Sequence, residues 1–168
     1  MKRPKILQRD IDNLFNRYTA SHQNPVNKII NFICIPVVVF GLLGLAYAIP
    51  FPHLTFLGQY ATYINWVSLV IAFSVYFYMR ISPILSYIML IIEFLMGYGI
   101  MQLAEWQKTT PPGMLTLCFL ILMTAYLLQF IGQTIERKRY SFDNSLRFQF
   151  YGPIWLISLL LQRLKIKY

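Results

Sequence analysis

The residues best suited to chemistry in this chain gather in two short stretches far apart in sequence. The first holds His22, Asn27 and Asn31, and the second holds Gln129, Gln133 and Glu136. An imidazole can take up or release a proton near neutral pH, a carboxylate offers two acceptor oxygens, and amides both donate and accept. Asn27 and Asn31 are four residues apart, as are Gln129 and Gln133, so on helices each pair shares one face. Faces of this kind, if they meet, form a single polar pocket. The plainer alternative is that the amides cap helix ends and tie neighbouring helices together by hydrogen bonds. Glu93 stands apart, in the middle of an apolar run where a carboxyl is costly. It is either held by a Ser, Thr or Tyr hydroxyl or lines a substrate path. His53, beside Pro50 and Pro52, reads as a solvated or interfacial loop residue. The chain has no GxSxG, HExxH, Gly-rich phosphate loop or CxxC pair, so spacing alone names no reaction.

The elements that must position these groups are membrane helices. Of 168 residues 57% are hydrophobic and only 12% charged, a balance foreign to a water-soluble domain. Residues 29–49, 60–79, 83–103 and 114–134 carry almost no charge, and each is long enough at ~1.5 Å per residue to cross ~30 Å of hydrocarbon. The reading is an all-α, single-domain, four-helix membrane bundle. A net charge of +9 does not point to nucleic acid, because the cations form no stripe. Every lysine and arginine except Lys108 falls before the first span, between the second and third, or after the fourth. The positive-inside rule then places both termini in the cytosol.

Segment 1–28 reads as an interfacial amphipathic helix, with Leu7, Ile11, Leu14, Phe15 and Tyr18 at helical spacing. Asn24-Pro25 and Ser82-Pro83 each pair a capping side chain with a proline, so the first marks the start of span one and the second a tight turn. Tyr47, Tyr60, Tyr63, Trp66, Tyr98 and Trp106 mark the outer interface. The tail, 143–168, is apolar between flanking cations and carries Gly152-Pro153, from which we expect a broken, re-entrant or interfacial segment. Cys34 and Cys118 lie at different depths and read as packing residues.

Two motifs carry a resemblance. Ser21-His22-Gln23-Asn24-Pro25-Val26-Asn27-Lys28-Ile29-Ile30-Asn31, then Cys34-Ile35-Pro36, is similar to the opening motif of the 2-hydroxy-fatty-acid dioxygenase-like family of small membrane proteins. Gln129-Phe130-Ile131-Gly132-Gln133-Thr134-Ile135-Glu136, with Ser141-Phe142, Asp143, Leu146 and Gly152-Pro153 following, resembles its closing motif. The resemblance implies iron(II)- and oxygen-dependent α-oxidation that removes one carbon from a 2-hydroxy fatty acid, with histidines as metal ligands. His22 is retained, but Asn31 and Gln133 stand where the family has histidine, and Tyr140 where proline is usual.

Two functions are therefore in play. As an enzyme, the chain would hold Fe(II) through His22 and Glu136, with Lys28, Arg137 and Lys138 attracting the substrate carboxylate. As a non-catalytic member, it would bind lipid or a partner protein through the same pocket, with Asn31 and Gln133 hydrogen-bonded where metal would otherwise sit. A transporter subunit built around Glu93 is a weaker third reading. Compact length and the lack of a retention signal favour a bacterial inner membrane over the endoplasmic reticulum.

Overall fold

A computed structural model describes residues 22–52, 64–108, 111–136 and 142–165, together with residues 13, 15, 16, 18–20 and 58; of 142–148 only the backbone is described. His53, Tyr60, Tyr63, Arg137, Lys138, Tyr140 and Ser141 lie outside the described residues. The described residues form helices and no strand: α1 Pro25–Ala48, α2 Trp66–Ile81, α3 Pro83–Gln107, α4 Met114–Glu136 and α5 Phe142–Arg163. Residues 13, 15, 16 and 18–20 are helical as well, ahead of α1.

Local chemistry sets the helix starts. At α1 the Asn24 side chain accepts from the Val26 N–H at 2.9 Å, and Pro25 fills a position whose N–H would have no helical acceptor. At α2, Asn65 Oδ1 accepts from the Ser68 N–H and Ser68 Oγ accepts from the Asn65 N–H, each at 3.0 Å, a reciprocal capping box. That box fixes the second helix at Trp66–Ile81, later than the expected 60–79, and leaves it 16 residues long. α1, α3 and α4, of 24, 25 and 23 residues, are long and apolar enough to cross a membrane; α2 is apolar but shorter. Ser82 alone separates α2 from α3. Its N–H returns to the Tyr78 carbonyl at 2.9 Å and its carbonyl accepts from the Ser86 N–H at 3.0 Å, which makes the turn expected there.

α1 is the central helix, packed most extensively against α4 and also against α2, α3 and α5. Gly41 and Gly44 permit the close α1–α4 approach, since a Cβ on Gly41 would come within 2.7 Å of Leu122. Cys34 and Cys118 are buried free thiols in this packing. Large apolar side chains cover the outside: Phe73, Phe94, Leu95, Leu127 and Phe130 are all exposed. A surface of this kind needs lipid rather than water around it, and the molecule is a membrane helical bundle.

The tail is helical, and one local expectation fails there, the break at Gly152-Pro153. α5 is continuous through Gly152-Pro153, and every residue from Gly152 to Ser158 is buried. A helix buried on all faces belongs to a core. Ile154, Trp155, Leu156, Ile157 and Leu161 pack with Leu85 and Met89 of α3 and with Phe15 and Tyr18 of the leading helical segment. The apolar face of that segment, expected in the headgroup region, is thus covered at Phe15 and Tyr18 by α5. Proline removes one helical N–H, yet Tyr78 Oη donates to the neighbouring Phe150 carbonyl at 3.0 Å, so α2 supplies a hydrogen bond beside the interruption.

Candidate functional site

The end of α4 and the start of α1 lie side by side, so the two polar stretches meet. Glu136, the last residue of α4, turns its carboxylate onto the first turn of α1. Oε1 accepts from the Gln23 N–H at 2.8 Å, while Oε2 accepts from the Asn24 N–H at 3.0 Å and from Asn27 Nδ2 at 3.1 Å. A negative group here satisfies N–H donors at the entrance to a helix and sits at the positive end of its dipole. Asn27, 1% exposed, continues the chain of bonds. Its Oδ1 accepts from Asn31 Nδ2 at 2.8 Å, and Asn31 Nδ2 also reaches the Asn27 carbonyl at 2.9 Å. Gly132 lets α4 come this close: a Cβ there would lie 2.5 Å from Asn27 Oδ1.

His22 lies just outside α1 and is buried. Nδ1 is 3.0 Å from the Tyr18 carbonyl, which can only accept, so Nδ1 carries the proton and Nε2 the lone pair of the neutral ring. The imidazole stacks on the Tyr18 ring at 4.6 Å and 10°, and Trp155 of α5 packs against Tyr18 at 4.4 Å. Trp155 Nε1 donates to Thr19 Oγ1 at 3.1 Å. Burial pushes the His22 pKa down and outweighs the upward pull of the Tyr18 carbonyl and Glu136, while the Lys28 charge adds to the lowering. Lys28 itself is exposed.

The structure joins His22, Asn27, Asn31 and Glu136 at one end of the bundle, but not in the pairing anticipated. Asn31 bonds within its own helix to Asn27 rather than to Gln133. Gln129 is buried and Gln133 half-buried on α4, and the bonds that link the two helices run through Asn27 and Glu136 instead. Glu93 is placed elsewhere, ten residues or ~15 Å along α3 from Pro83. Its carboxyl faces α2, where Ser74 Oγ donates to it at 2.5 Å. A hydroxyl partner of this kind is one of the two alternatives that the sequence leaves open for it. Tyr18, Thr19 and Trp155 are members of the site that the sequence did not single out. The four-residue step from Tyr18 to His22 was the available signal, and it was read only as part of an apolar face.

Apolar helices long enough to cross a membrane, with a buried imidazole and a helix-capping carboxylate gathered at one end, define a membrane helical bundle with a polar cluster at that end. The chain belongs to the Mpo1-like family, whose model, described as 2-hydroxy-palmitic acid dioxygenase Mpo1-like, matches residues 8–164. No curated protein and no solved structure matches.

The family implies a dioxygenase, and such enzymes commonly hold ferrous iron by several imidazole and carboxylate donors with positions left open. The described residues at this site do not by themselves meet that requirement. Among the described residues no three His, Cys, Asp or Glu side chains group together. His22 is the one imidazole of the cluster, both Glu136 oxygens already accept N–H donors, and Asn27 Oδ1 accepts from Asn31.

Proposed function

We propose that this chain is a lipid-binding member of the Mpo1-like family in which hydrogen bonds, rather than iron, hold the polar end together. The observation that carries this reading is the Glu136 carboxylate, which receives three N–H donors from the start of α1 and so works as a helix cap. The ligand is a fatty acid or related acyl lipid. Its tail stays in the apolar bundle and its carboxylate reaches Lys28 at the membrane surface, with Arg137 and Lys138, which follow α4 in sequence, as further cations. The distribution of cations supports a cytosolic location for this end and for both termini. Single-chain lipids suit a site at this level because the head can engage polar groups without the tail leaving hydrocarbon.

Iron-dependent α-oxidation of a 2-hydroxy fatty acid is the second reading. Family membership supports it, as does a neutral His22 whose Nε2 carries the lone pair that metal binding needs. It requires ligands beyond those that the described residues bring to His22.

The deciding measurement is metal content of protein purified without a histidine tag, together with binding of palmitic acid and 2-hydroxypalmitic acid. The proposal expects saturable binding that is the same before and after chelation, and no stoichiometric iron. Stoichiometric iron that His22→Ala removes, with oxygen consumed when 2-hydroxypalmitic acid is added, would establish the enzymatic reading instead.

A further inference from the structure

A groove of about 120 Å³ runs between α1, α3 and α5. Its walls are almost entirely carbon and thioether: Ile35, Pro36 and Val39 on α1, Met89 and Met96 on α3, and Leu160 on α5 are among them. Pro36 and Pro153 both line it, and each is a residue without an N–H inside its helix, so the walls lack a donor at those places too. From Ile35 to Val39 and from Met89 to Met96 the lining spans ~6 and ~10 Å of helix axis. A cavity of ~150 Å³ holds one benzene, so this groove takes a stretch of a single aliphatic chain. It is far too narrow for a helix, whose diameter with side chains is ~10 Å. The two methionines on its α3 wall can shift to follow a flexible occupant.

What links the groove to the polar end is Gly152. Its missing Cβ would lie 3.1 Å from Ile35 Cδ1, which lines the groove, and 3.1 Å from Tyr18 Oη, whose ring stacks on His22. Ile35, Gly152 and Tyr18 thus form a continuous line of neighbours from the groove to the imidazole. We propose that this groove holds the hydrocarbon tail of the single-chain lipid whose head occupies the polar end, an assignment that rests on the lipid-binding reading above. Glu93, although on α3, is not among the lining residues, and none of the described lining residues is charged.

The test is photolabelling of the full chain in phosphatidylcholine nanodiscs with two palmitic acid probes, one with a diazirine at the tail end and one with it beside the carboxyl. The tail probe is expected to label Met89, Ile92, Met96 and Leu160 saturably, with competition by unlabelled palmitic acid. Ile92→Trp, which fills the groove, lowers that labelling about tenfold, whereas Phe94→Trp on the exposed side of α3 leaves it unchanged. Tail labelling spread over Phe94, Leu95, Leu127 and Phe130, with the carboxyl probe still saturable near Lys28, would overturn the groove and leave the lipid-binding reading standing. Loss of saturable labelling by both probes in the unaltered chain would overturn both.

Discussion

Glu136→Ala would strip three hydrogen bonds at once from the start of α1 and leave the buried Asn27 amide short of an acceptor. Losing a helix cap costs ~1 kcal/mol, and an unsatisfied buried donor adds ~1–3 kcal/mol, so the expected loss is about 2 kcal/mol or more. Glu136→Gln keeps an acceptor oxygen but not the charge, and falls between the two. Thermal unfolding in detergent measures the series. The exposed Lys108–Glu105 pair is the contrast, and Lys108→Ala leaves the midpoint where it is. His22 sets a pH dependence of opposite origin. Because burial lowers its pKa in the folded state, the unfolded chain takes up its proton first. Stability from this residue is complete above the ordinary histidine value of 6.5 and is lost as pH falls below it. Among the described residues the Tyr18 carbonyl, Glu136 and Lys28 act on the ring. His22→Gln should flatten the unfolding midpoint between pH 7 and 5; an unchanged slope would mean that the ring is not held neutral by burial.

Between elements, the close approach of α4 to α1 decides whether this polar chain can form. Gly132→Ala would press a methyl group against Asn27 Oδ1, and overpacking of this kind costs ~1–3 kcal/mol. Gly113→Ala, whose added Cβ meets nothing within 4 Å, should be near neutral in the same unfolding experiment. Equal effects of the two would mean that α4 can slide to relieve the clash. Much of this level was legible in the sequence. Asn24-Pro25 located the start of α1, Ser82-Pro83 located the turn, and the positions of Asn27 and Glu136 along their helices put them at one end of the bundle. Charge and hydropathy report depth, however, and not rotation about the helix axis. Asn31 and Gln133 were therefore placed together, although Asn31 bonds along its own helix. The continuity of α5 was missed for a related reason. Gly152-Pro153 is a helix breaker when judged locally, and the Tyr78 hydroxyl that bonds the Phe150 carbonyl comes from a residue 72 positions earlier. Tyr78→Phe should cost ~1 kcal/mol and speed amide exchange in α5 ahead of the rest of the bundle.

At the scale of the whole molecule, the scaffold brings the family's two motifs to one end although its described residues group no ferrous donor set. Whether it has lost only ligands, or also the shape that would use them, can be decided by restoring them. Asn31→His with Gln133→His would add two imidazoles to His22, which is the kind of donor count a ferrous centre needs. The substitution also frees Asn27 Oδ1 from the Asn31 amide, although Glu136 remains bound to the Gln23 and Asn24 N–H groups. Iron affinity should rise by about two orders of magnitude or more over the unaltered chain, since each good ligand or ligand partner is worth at least tenfold in metal sites. Binding is read by titration with ferrous iron under anaerobic conditions, and the folding effect by the unfolding midpoint with and without metal, because a ligand that binds only the folded state stabilises it. Either single substitution should give a much smaller gain, as neither completes a set of three. If the double variant folds with its helix content intact and binds iron no better than the parent, the His22, Asn31 and Gln133 side chains do not converge on one point, and the site has diverged in shape as well as in ligands.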